Sequence, residues 1–315
     1  MDKVVVTGGM GFIGRNLVEL LHYNDYEVHV IDNFSTEQVP HYNFEYKVVN
    51  RPRPKIKEYG PNPVKVYDLD IQSSKNVASI LDGAKYVFHL AAWPRVEPSI
   101  KDPLQFHTVN TTNSLKLFWE CVQAGVEKVI FSSSSSVYGN PEEVPTKEDH
   151  NFDPMSPYAL NKAHGEDYLE ILSRLYGLNS VSLRYFNVYG ESQPVVGAYV
   201  PVMGIFFSQK EKNKPLTVTG DGMTKRDFVN VKDVARANLQ AALADLPKGH
   251  NAFNIGCGVN YTILDIARSI SSNIAFTEAR FEPKETLANI DKAKELLSWE
   301  PQFELMDWIE DNKPR

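Results

Sequence analysis

The sequence lacks most of the features that mark specialised classes of protein. Only two of its 315 residues are cysteines, Cys121 and Cys257, which excludes a disulfide framework and a metal site built on paired cysteines. Acidic residues outnumber basic ones by 40 to 33, for a net charge of -7, so nucleic acid is not an expected partner. No apolar run reaches the roughly 18 residues that a bilayer span requires. The residues from Lys3 onward also resemble a strand rather than a signal peptide. We therefore expect a cytoplasmic globular protein that holds no metal ion and contacts no membrane.

What the sequence does contain is an alternation of apolar strands and amphipathic helices. Short runs rich in Val, Ile and aromatic residues are almost continuously apolar, as is typical of strands buried on both faces of a parallel sheet. These runs are Lys3 to Thr7, Glu27 to Ile31, Val64 to Tyr67, Tyr86 to Leu90, Lys128 to Phe131 and Ser180 to Tyr185. Segments with helical spacing separate most of them. The pattern predicts an α/β fold built on a doubly wound parallel sheet of the Rossmann type.

A change of pattern after about Asn187 predicts a second, smaller domain. Turn signals such as Gly220-Asp221-Gly222 separate shorter elements there, and helices are expected at Val231 to Ala244 and Thr262 to Ser271. We assign residues 1–186 plus about 227–256 to a cofactor-binding domain. Residues 187–226 plus 257–315 are expected to form a mixed α/β substrate domain.

The connection from Pro40 to Pro63 is long for a link between two strands. We interpret it as a proline-stiffened surface loop. The alternative is a local anion or partner site, since the segment contains Arg51-Pro52-Arg53-Pro54-Lys55.

A glycine-rich turn lies between the first predicted strand and the first helix. Gly8, Gly11 and Gly14 have the spacing G-x-x-G-x-x-G, which permits a tight turn, a close approach of phosphate to the backbone and close packing of helix on strand. The second strand ends at Asp32, whose carboxylate can accept hydrogen bonds from the hydroxyls of an adenosine ribose. Asp32 is followed by Asn33 and no basic residue is near it in sequence, so we predict NAD rather than NADP.

A tyrosine and a lysine share one face of the helix that is predicted to begin after Ser156. Tyr158 and Lys162 are four residues apart, with Pro157 in the first turn of that helix. A phenol with a pKa near 10 is only about one part in a thousand ionised at pH 7, so its use as a base requires about 4 kcal/mol of stabilisation of the phenolate. A neighbouring ammonium group and an oxidised nicotinamide ring can supply that stabilisation.

Six motifs, in this order along the chain, carry a family resemblance. They are T-G-G-M-G-F-I-G at Thr7 to Gly14, F-H-L-A-A at Phe88 to Ala92, F-S-S-S-S-S-V-Y-G at Phe131 to Gly139, Y-A-L-N-K at Tyr158 to Lys162, L-R-Y-F-N-V-Y-G at Leu183 to Gly190, and R-D-F-V-N-V-K-D at Arg226 to Asp233. With these motifs the chain resembles the extended short-chain dehydrogenase/reductase family. Within that family it is most similar to the UDP-glucose (UDP-N-acetylglucosamine) 4-epimerases.

The resemblance implies roles for individual residues. Ser134 matches the catalytic serine, Tyr158 the general base and Lys162 the lysine that holds the nicotinamide ribose. The predicted cofactor contacts are Gly8, Gly11, Phe12, Ile13, Gly14, Asp32, Asn33, Asp70, Ile71, Leu90, Ala91, Ala92, Asn110, Tyr158, Lys162 and Tyr185. The predicted substrate contacts are Ser134, Ser135, Ser136, Asn187, Arg226, Arg280 and Thr286.

Two of these substrate positions depend on a C-terminal stretch that departs from the family pattern. The usual R-x-G-E signature is not intact, because the chain reads Glu278-Ala279-Arg280-Phe281-Glu282-Pro283-Lys284. Arg280 is the second diphosphate arginine, or Lys284 takes its place. Thr286 matches a pocket-wall position, where a small residue leaves room for an N-acetyl group.

The resemblance predicts an enzyme that inverts C4 of a UDP-hexose through a 4-keto intermediate and acts as a homodimer. Related dehydratases place acidic residues where this chain has Ser135 and Ser136, which favours hydride transfer out and back over further proton transfers. The alternatives are another nucleotide-sugar enzyme, such as a 4-keto-sugar epimerase/reductase or a 4,6-dehydratase, and a regulator that senses NAD without catalysis. The dimer is expected to form through the helix from Pro103 to Ala124 and the helix that carries Tyr158.

Overall fold

The structure is a computed structural model that describes residues 1–35, 46–49, 64–194, 200–279 and 282–314. Its contacts divide the chain into two compact units. The first unit comprises residues 1–133, 156–183 and 235–252. The second unit comprises residues 134–155, 184–234 and 253–315.

The described residues form strands and helices that alternate along the chain. The strands are β1 (Lys3–Thr7), β2 (Glu27–Asp32), β3 (Tyr46–Val49), β4 (Val64–Asp68), β5 (Tyr86–His89), β6 (Lys128–Ser134), β7 (Ser180–Tyr185), β8 (Asn187–Tyr189), β9 (Leu216–Thr219), β10 (Lys225–Asn230), β11 (His250–Ile255), β12 (Asn260–Thr262) and β13 (Ile274–Thr277). The helices are α1 (Phe12–Tyr23), α2 (Ser74–Leu81), α3 (Val96–Lys101), α4 (Pro103–His107), α5 (Asn113–Ala124), α6 (Pro157–Tyr176), α7 (Val202–Glu211), α8 (Val231–Leu243), α9 (Ile263–Ile270), α10 (Asp291–Leu297) and α11 (Leu305–Asn312).

An eight-stranded sheet dominates the first unit. Its order is β11-β7-β6-β5-β1-β2-β4-β3, and the pairs from β6 to β3 are parallel. Strand order reverses on either side of β1, as in a doubly wound sheet, so the predicted fold class is confirmed. The central strands are almost fully buried, which explains why their sequences are continuously apolar rather than alternating. Helices α2, α5 and α6 contribute Val77, Leu117, Phe118 and Leu169 to one core against this sheet.

The second unit contains two small sheets and its own core. One sheet has the order β12-β10-β8 and the other pairs β13 with β9. Buried side chains from α7, β9, β10, α9 and α11 pack together around Tyr189 and Phe206. The predicted mixed α/β character of this part of the chain is therefore observed.

Two features differ from the predicted elements. Strand β3 lies within the Pro40 to Pro63 segment and pairs in parallel with β4, whereas the sequence indicated a loop. The rest of that segment, 40–45 and 50–63, lies outside the described residues. The predicted helix from Pro103 to Ala124 is divided, because a π-helical turn at Thr108–Thr112 separates α4 from α5.

The segment 134–155 belongs to the second unit, although the sequence analysis assigns it to the cofactor domain. Its backbone bonds explain the difference. Thr146 donates to the carbonyl of Leu287 at 2.8 Å and accepts from the N–H of Asn289 at 2.9 Å. The side-chain amide of Asn254 donates to the same Thr146 carbonyl at 2.9 Å. Residues 184–186, 227–234 and 253–256, which the sequence analysis likewise assigns to the cofactor domain, belong to the second unit as well.

None of the helices in the described residues has the length and apolarity that crossing a membrane requires. The same residues contain no cluster of three His, Cys, Asp or Glu side chains that could hold a metal ion.

Candidate active site

The glycine-rich turn joins β1 to α1 through very close backbone contacts. A Cβ on Gly14 would lie 2.1 Å from the carbonyl oxygen of Gly8, and a Cβ on Gly8 would lie 2.6 Å from the nitrogen of Ala91. Gly8 also has a φ of +70°, in the left-handed region that favours glycine. Gly11 is the N-cap of α1, which begins with Phe12 and Ile13, and it has no side chain to cover the first N–H groups of the helix. The turn can therefore present backbone donors and the positive end of α1 to a phosphate.

Asp32 lies at the carboxyl end of β2, where the backbone orients its carboxylate. Its two oxygens accept hydrogen bonds from the N–H groups of Met10 at 2.9 Å and Phe34 at 2.8 Å. Burial raises the pKa of Asp32 above its ordinary value, while these two N–H groups oppose the rise. The carboxylate is thus fixed beside the phosphate-binding turn, where it can accept further hydrogen bonds from a ribose.

Asn33 and Asp70 were predicted as cofactor contacts from distant parts of the sequence, and the structure brings them together. The Asn33 amide donates to Asp70 Oδ2 at 2.7 Å, and Asp70 Oδ1 accepts from the N–H of Gln72 at 2.9 Å. Ile71 beside them is buried. These residues follow two parallel neighbours, β2 and β4, at the carboxyl edge of the sheet, which is where open α/β sheets bind ligands.

A chain of buried hydrogen bonds connects β1, β5 and α5 through His89. The N–H of Ala91 donates to Thr7 Oγ1 at 3.3 Å, and Thr7 Oγ1 lies 2.7 Å from His89 Nδ1. His89 Nε2 lies 2.8 Å from Ser114 Oγ, whose proton goes to the carbonyl of Asn110 at 2.7 Å. These donors and acceptors require a neutral imidazole that carries its proton on Nε2. Burial lowers the pKa of His89 to about 3, which keeps the ring neutral.

Asn110 fixes the segment that follows β5, which includes the predicted contacts Leu90, Ala91 and Ala92. Its side-chain oxygen accepts from the N–H of Trp93 at 2.8 Å, and its amide donates to the Trp93 carbonyl at 2.9 Å. Asn110 is itself 2% exposed and lies in the π-helical turn. Its side chain therefore acts on the backbone of the cofactor-lining segment.

Tyr158 lies in the first turn of α6, whose start agrees with the predicted capping residue. Ser156 Oγ accepts from the N–H of Ala159 at 3.1 Å. The N–H of Tyr158 donates to Ser99 Oγ at 3.1 Å, and Ser99 is fully buried in α3. The Tyr158 backbone is thus held by two elements, while its side chain is half-buried.

Lys162 lies one turn after Tyr158 and is buried between α6 and β6. Its Nζ donates to the carbonyl of Ser132 at 2.6 Å and lies 4.9 Å from the centroid of the Phe131 ring. The same Nζ is 5.9 Å from the centroid of the Tyr158 ring. Burial lowers the pKa of Lys162 to about 7. The tyrosine and the lysine therefore form the pair that the sequence predicted, with an ammonium group close to losing its proton at neutral pH.

Three half-buried serines, Ser134, Ser135 and Ser136, lie where β6 ends, in the first residues of the second unit. Ser134 is the last residue of the strand and the N-cap of a 3-10 turn at Ser135–Tyr138. Its Oγ accepts from the N–H of Ser136 at 3.2 Å and from Ser136 Oγ at 2.9 Å. Ser134 belongs to the second unit and Tyr158 to the first.

Two predicted substrate residues of the second unit, Arg226 and Thr286, lie on and beside β10. Arg226 is 8% exposed and donates through NH2 to Glu282 at 2.7 Å and through NH1 to the carbonyl of Lys225 at 2.8 Å. Thr286 lies next to this strand, because its N–H donates to the Lys225 carbonyl at 3.1 Å. Its hydroxyl is buried and has no hydrogen-bond partner among the described residues. Arg280 lies outside the described residues.

Asn187 and Asp227 lie on the paired strands β8 and β10. The Asn187 amide donates to the carbonyl of Asp227 at 3.1 Å. The Asp227 carboxylate accepts three backbone N–H bonds, from Cys257 at 2.6 Å, Gly258 at 3.0 Å and Ala288 at 3.1 Å. Burial nevertheless raises the pKa of Asp227 to about 6. Tyr185, the predicted nicotinamide neighbour, is buried at the end of β7.

Four residues of the site were not predicted: Ser99 and Glu282, which bond to Tyr158 and Arg226, and the buried pair of Ser133 and Glu166. Glu166 follows Lys162 by four residues, so helical spacing already placed it on the same face. The other three carry no signal in the sequence, since each depends on which strand or helix packs against its neighbour.

Comparison with known proteins identifies the family of the chain. A model of the NAD dependent epimerase/dehydratase family matches residues 4–256. The chain belongs to this family. A UDP-glucose 4-epimerase of Mycolicibacterium smegmatis is 31% identical over 98% of this chain and 96% of its own length. The family resemblance identified from the six motifs is thereby confirmed, as is the prediction of an NAD-dependent enzyme.

Solved structures of family members have the same fold. A UDP-N-acetylglucosamine 4-epimerase from Methanobrevibacter ruminantium, in complex with UDP-N-acetylmuramic acid, is 35% identical with a TM-score of 0.84 and covers 96% of this chain and 93% of that one. A UDP-glucose 4-epimerase from Thermotoga maritima, with UDP-glucose, is 33% identical with a TM-score of 0.84 and covers 98% and 96% of the two chains.

Proposed function

We propose that the protein inverts C4 of a UDP-hexose through a transient 4-keto sugar. The observation that carries this proposal is the Tyr158–Lys162 pair on α6, in the unit that also holds the phosphate-binding turn. Relatives named for UDP-glucose and UDP-N-acetylglucosamine 4-epimerisation support the same chemistry.

The residues of the first unit fit NAD. Gly8 and Gly14 permit the tight backbone turn that a phosphate can approach, since a Cβ at either would overlap backbone atoms, and Asp32 has lone pairs available for a ribose diol. Asn33, Asp70 and Ile71 border the place where an adenine would follow that ribose. When bound, NAD supplies the acceptor for the C4 hydride and then its donor.

Tyr158 is the base in this proposal. As phenolate it takes the proton of the sugar 4-hydroxyl while the hydride leaves C4, and it returns the proton to the oxygen after the keto sugar has turned. Lys162 stabilises the phenolate through its positive charge, and Ser134 donates a hydrogen bond to the same sugar oxygen. The net redox change is zero, so the reaction needs no second substrate.

The serines at the end of β6 favour epimerisation over dehydration. Ser135 and Ser136 occupy the positions where an acid and a base would have to act at neighbouring carbons. Their hydroxyl protons have pKa values far above neutrality. Proton transfer at C5 or C6 therefore has no suitable group at these two positions.

The diphosphate is expected to bind through Arg226 and Asn187, together with Arg280 or Lys284. Arg226 is held by Glu282, so a diphosphate has to share or replace that carboxylate. A guanidinium fork suits two phosphate oxygens. The exchange of one anionic partner for another leaves the buried charge of Arg226 compensated throughout.

The N-acetylated hexose is the substrate that Thr286 favours. Its side chain is small, and its buried hydroxyl has no partner among the described residues. A small residue at this pocket-wall position leaves room for an acetamido group, as the family resemblance implies. The 35% identity to a UDP-N-acetylglucosamine 4-epimerase supports this choice.

The deciding experiment is incubation of the purified protein with UDP-galactose or UDP-N-acetylgalactosamine without added cofactor. We expect each sugar to be interconverted with its gluco epimer. Chromatography of the nucleotide sugars measures this conversion. Tyr158→Phe should lower turnover by about 10²–10⁴-fold and retain NAD. Tyr176→Phe, at the exposed end of the same helix, should leave turnover unchanged. Failure to interconvert either pair while NAD is bound would refute the proposal.

A second copy of the chain is the expected partner of α5 and α6. Trp119, Leu160, Ile171 and Leu175 are 41–68% exposed on these two helices. Burial of such side chains between two helix pairs would give a four-helix bundle. Sedimentation should show a dimer, and Ile171→Glu should yield monomers; a monomeric unaltered protein would exclude this interface.

A further inference from the structure

Helix α6 packs unusually close to the end of β6, and Gly165 permits this approach. A Cβ at Gly165 would lie 2.6 Å from Cζ of the Phe131 ring. Glycine is a poorer helix former than alanine, and at this position it permits a contact that a larger residue would prevent. The approach brings two ionisable side chains of α6, Lys162 and Glu166, against two consecutive residues of β6.

Each of the two side chains contacts a different serine of the strand. Lys162 Nζ donates to the carbonyl of Ser132 at 2.6 Å. Ser133 Oγ donates a hydrogen bond to the carboxylate of Glu166. Lys162 is 4% exposed and Glu166 is 3% exposed, so water screens neither group well. Both are therefore sensitive to charges in their surroundings.

Three groups face the Lys162 ammonium from the elements around it. Tyr158 lies one turn before it on α6, and His89 on β5 is close enough that the lysine charge lowers the pKa of the imidazole. The phenol form of Tyr158 carries no charge, and neither does the His89 ring with its single proton on Nε2. Glu166 is the group that raises the pKa of Lys162 against the effect of burial.

We propose that Glu166 is a positioning residue that keeps Lys162 positively charged, and that Ser133 fixes its carboxylate for this purpose. The inference deepens the proposed function, since a charged Lys162 is what stabilises the Tyr158 phenolate. Without the carboxylate, the ammonium form of Lys162 is less stable. The one proton that Tyr158 and Lys162 share then lies on the phenol rather than on the amine. The neutral phenol and amine have the same total charge as the phenolate and ammonium, but Tyr158 is then not the base.

Glu166→Gln tests this role because the amide preserves size and can still accept from Ser133. The variant removes the negative charge and leaves the packing in place. Glu170→Gln is the matched control, one turn further along α6, where the glutamate is paired with Arg174 at 2.8 Å on the surface. If the role of Glu166 is purely structural, the titration of Lys162 should be the same in the two variants.

The readout is the titration of the Lys162 Cε resonance in the NAD-loaded protein labelled with [ε-13C]lysine. The resonance is assigned by its loss in Lys162→Met. We expect the apparent pKa to fall by at least about one unit in Glu166→Gln and to stay within about 0.2 unit in Glu170→Gln. At pH 7 we expect kcat to fall about tenfold or more, with KM within about twofold, because one unit is a tenfold change in population.

An unchanged Lys162 titration in folded Glu166→Gln overturns the inference. Should that variant not fold, Ser133→Ala provides the second test. Loss of the hydroxyl removes the hydrogen bond that fixes the Glu166 carboxylate, so a downward shift of the Lys162 titration is again expected, and no shift overturns the inference. A shifted titration in a protein that does not turn over UDP-hexoses supports the role of Glu166 and refutes the proposed function alone.

Discussion

Acid sensitivity of the first unit is expected to depend on His89. The ring is neutral and buried, with its pKa lowered from 6.5 to about 3 by desolvation. In the unfolded chain the same ring takes up a proton near its ordinary pKa, so acid stabilises the unfolded state and the contribution is lost as pH falls below about 6.5. Between about pH 7.5 and about pH 5 the loss for this one group amounts to about 2 kcal/mol.

Urea unfolding at the two pH values, followed by tryptophan fluorescence, measures this loss. His89→Gln removes the titration, so the difference in the free energy of unfolding between the two pH values should shrink by about 2 kcal/mol. The variant should also be less stable at both pH values, because glutamine cannot reproduce the two hydrogen bonds that His89 makes with Thr7 and Ser114. The matched control is His107→Gln at an exposed position, which should keep the difference of the unaltered protein. An unchanged difference in His89→Gln would refute the reasoning.

Other perturbations have equally specific outcomes. Gly14→Ala places a methyl group 2.1 Å from the Gly8 carbonyl, so NAD affinity should fall on the order of tenfold or more, measured by the NAD retained after gel filtration. Asp227 has a folded pKa of about 6, above the ordinary 3.8, so its contribution to stability is present at acid pH and is lost as pH rises through 6. Asp227→Asn should abolish that loss, which amounts to about 2 kcal/mol in urea unfolding between about pH 4 and about pH 7. Lys128 donates to three carbonyls at the end of α8, at 3.1, 2.9 and 2.8 Å; Lys128→Met should cost about 1–3 kcal/mol and lower the thermal midpoint.

Strands buried on both faces were the most predictable part of the fold. The bounds of β1 and β7 agree with the predicted runs, because continuous Val and Leu content reflects burial on both sides of the sheet. The end of β6 was not predictable in the same way. Ser132, Ser133 and Ser134 continue the strand, since the hydrogen bonds of a ladder come from the backbone and do not require apolar side chains.

The site could be predicted where its chemistry depends on local spacing. Ser156 caps α6, and Tyr158 and Lys162 share a helix face, as four-residue spacing dictates. Contacts between distant segments were not predictable from composition or from the periodicity of apolar residues. The pairing of Arg226 with Glu282 joins residues 56 positions apart, and the sequence contains no signal for it.

The π-helical turn at Thr108–Thr112 sets the rotational phase of everything that follows it in α5. A π turn closes its hydrogen bonds five residues back rather than four, so it contains one residue more than an α turn. Each residue of a helix corresponds to about 100° of rotation. If the same residues were wound as regular α-helix, everything after them would rotate by about 100°, and the buried Phe118 would turn to the side of the helix on which Trp119 is now half-exposed.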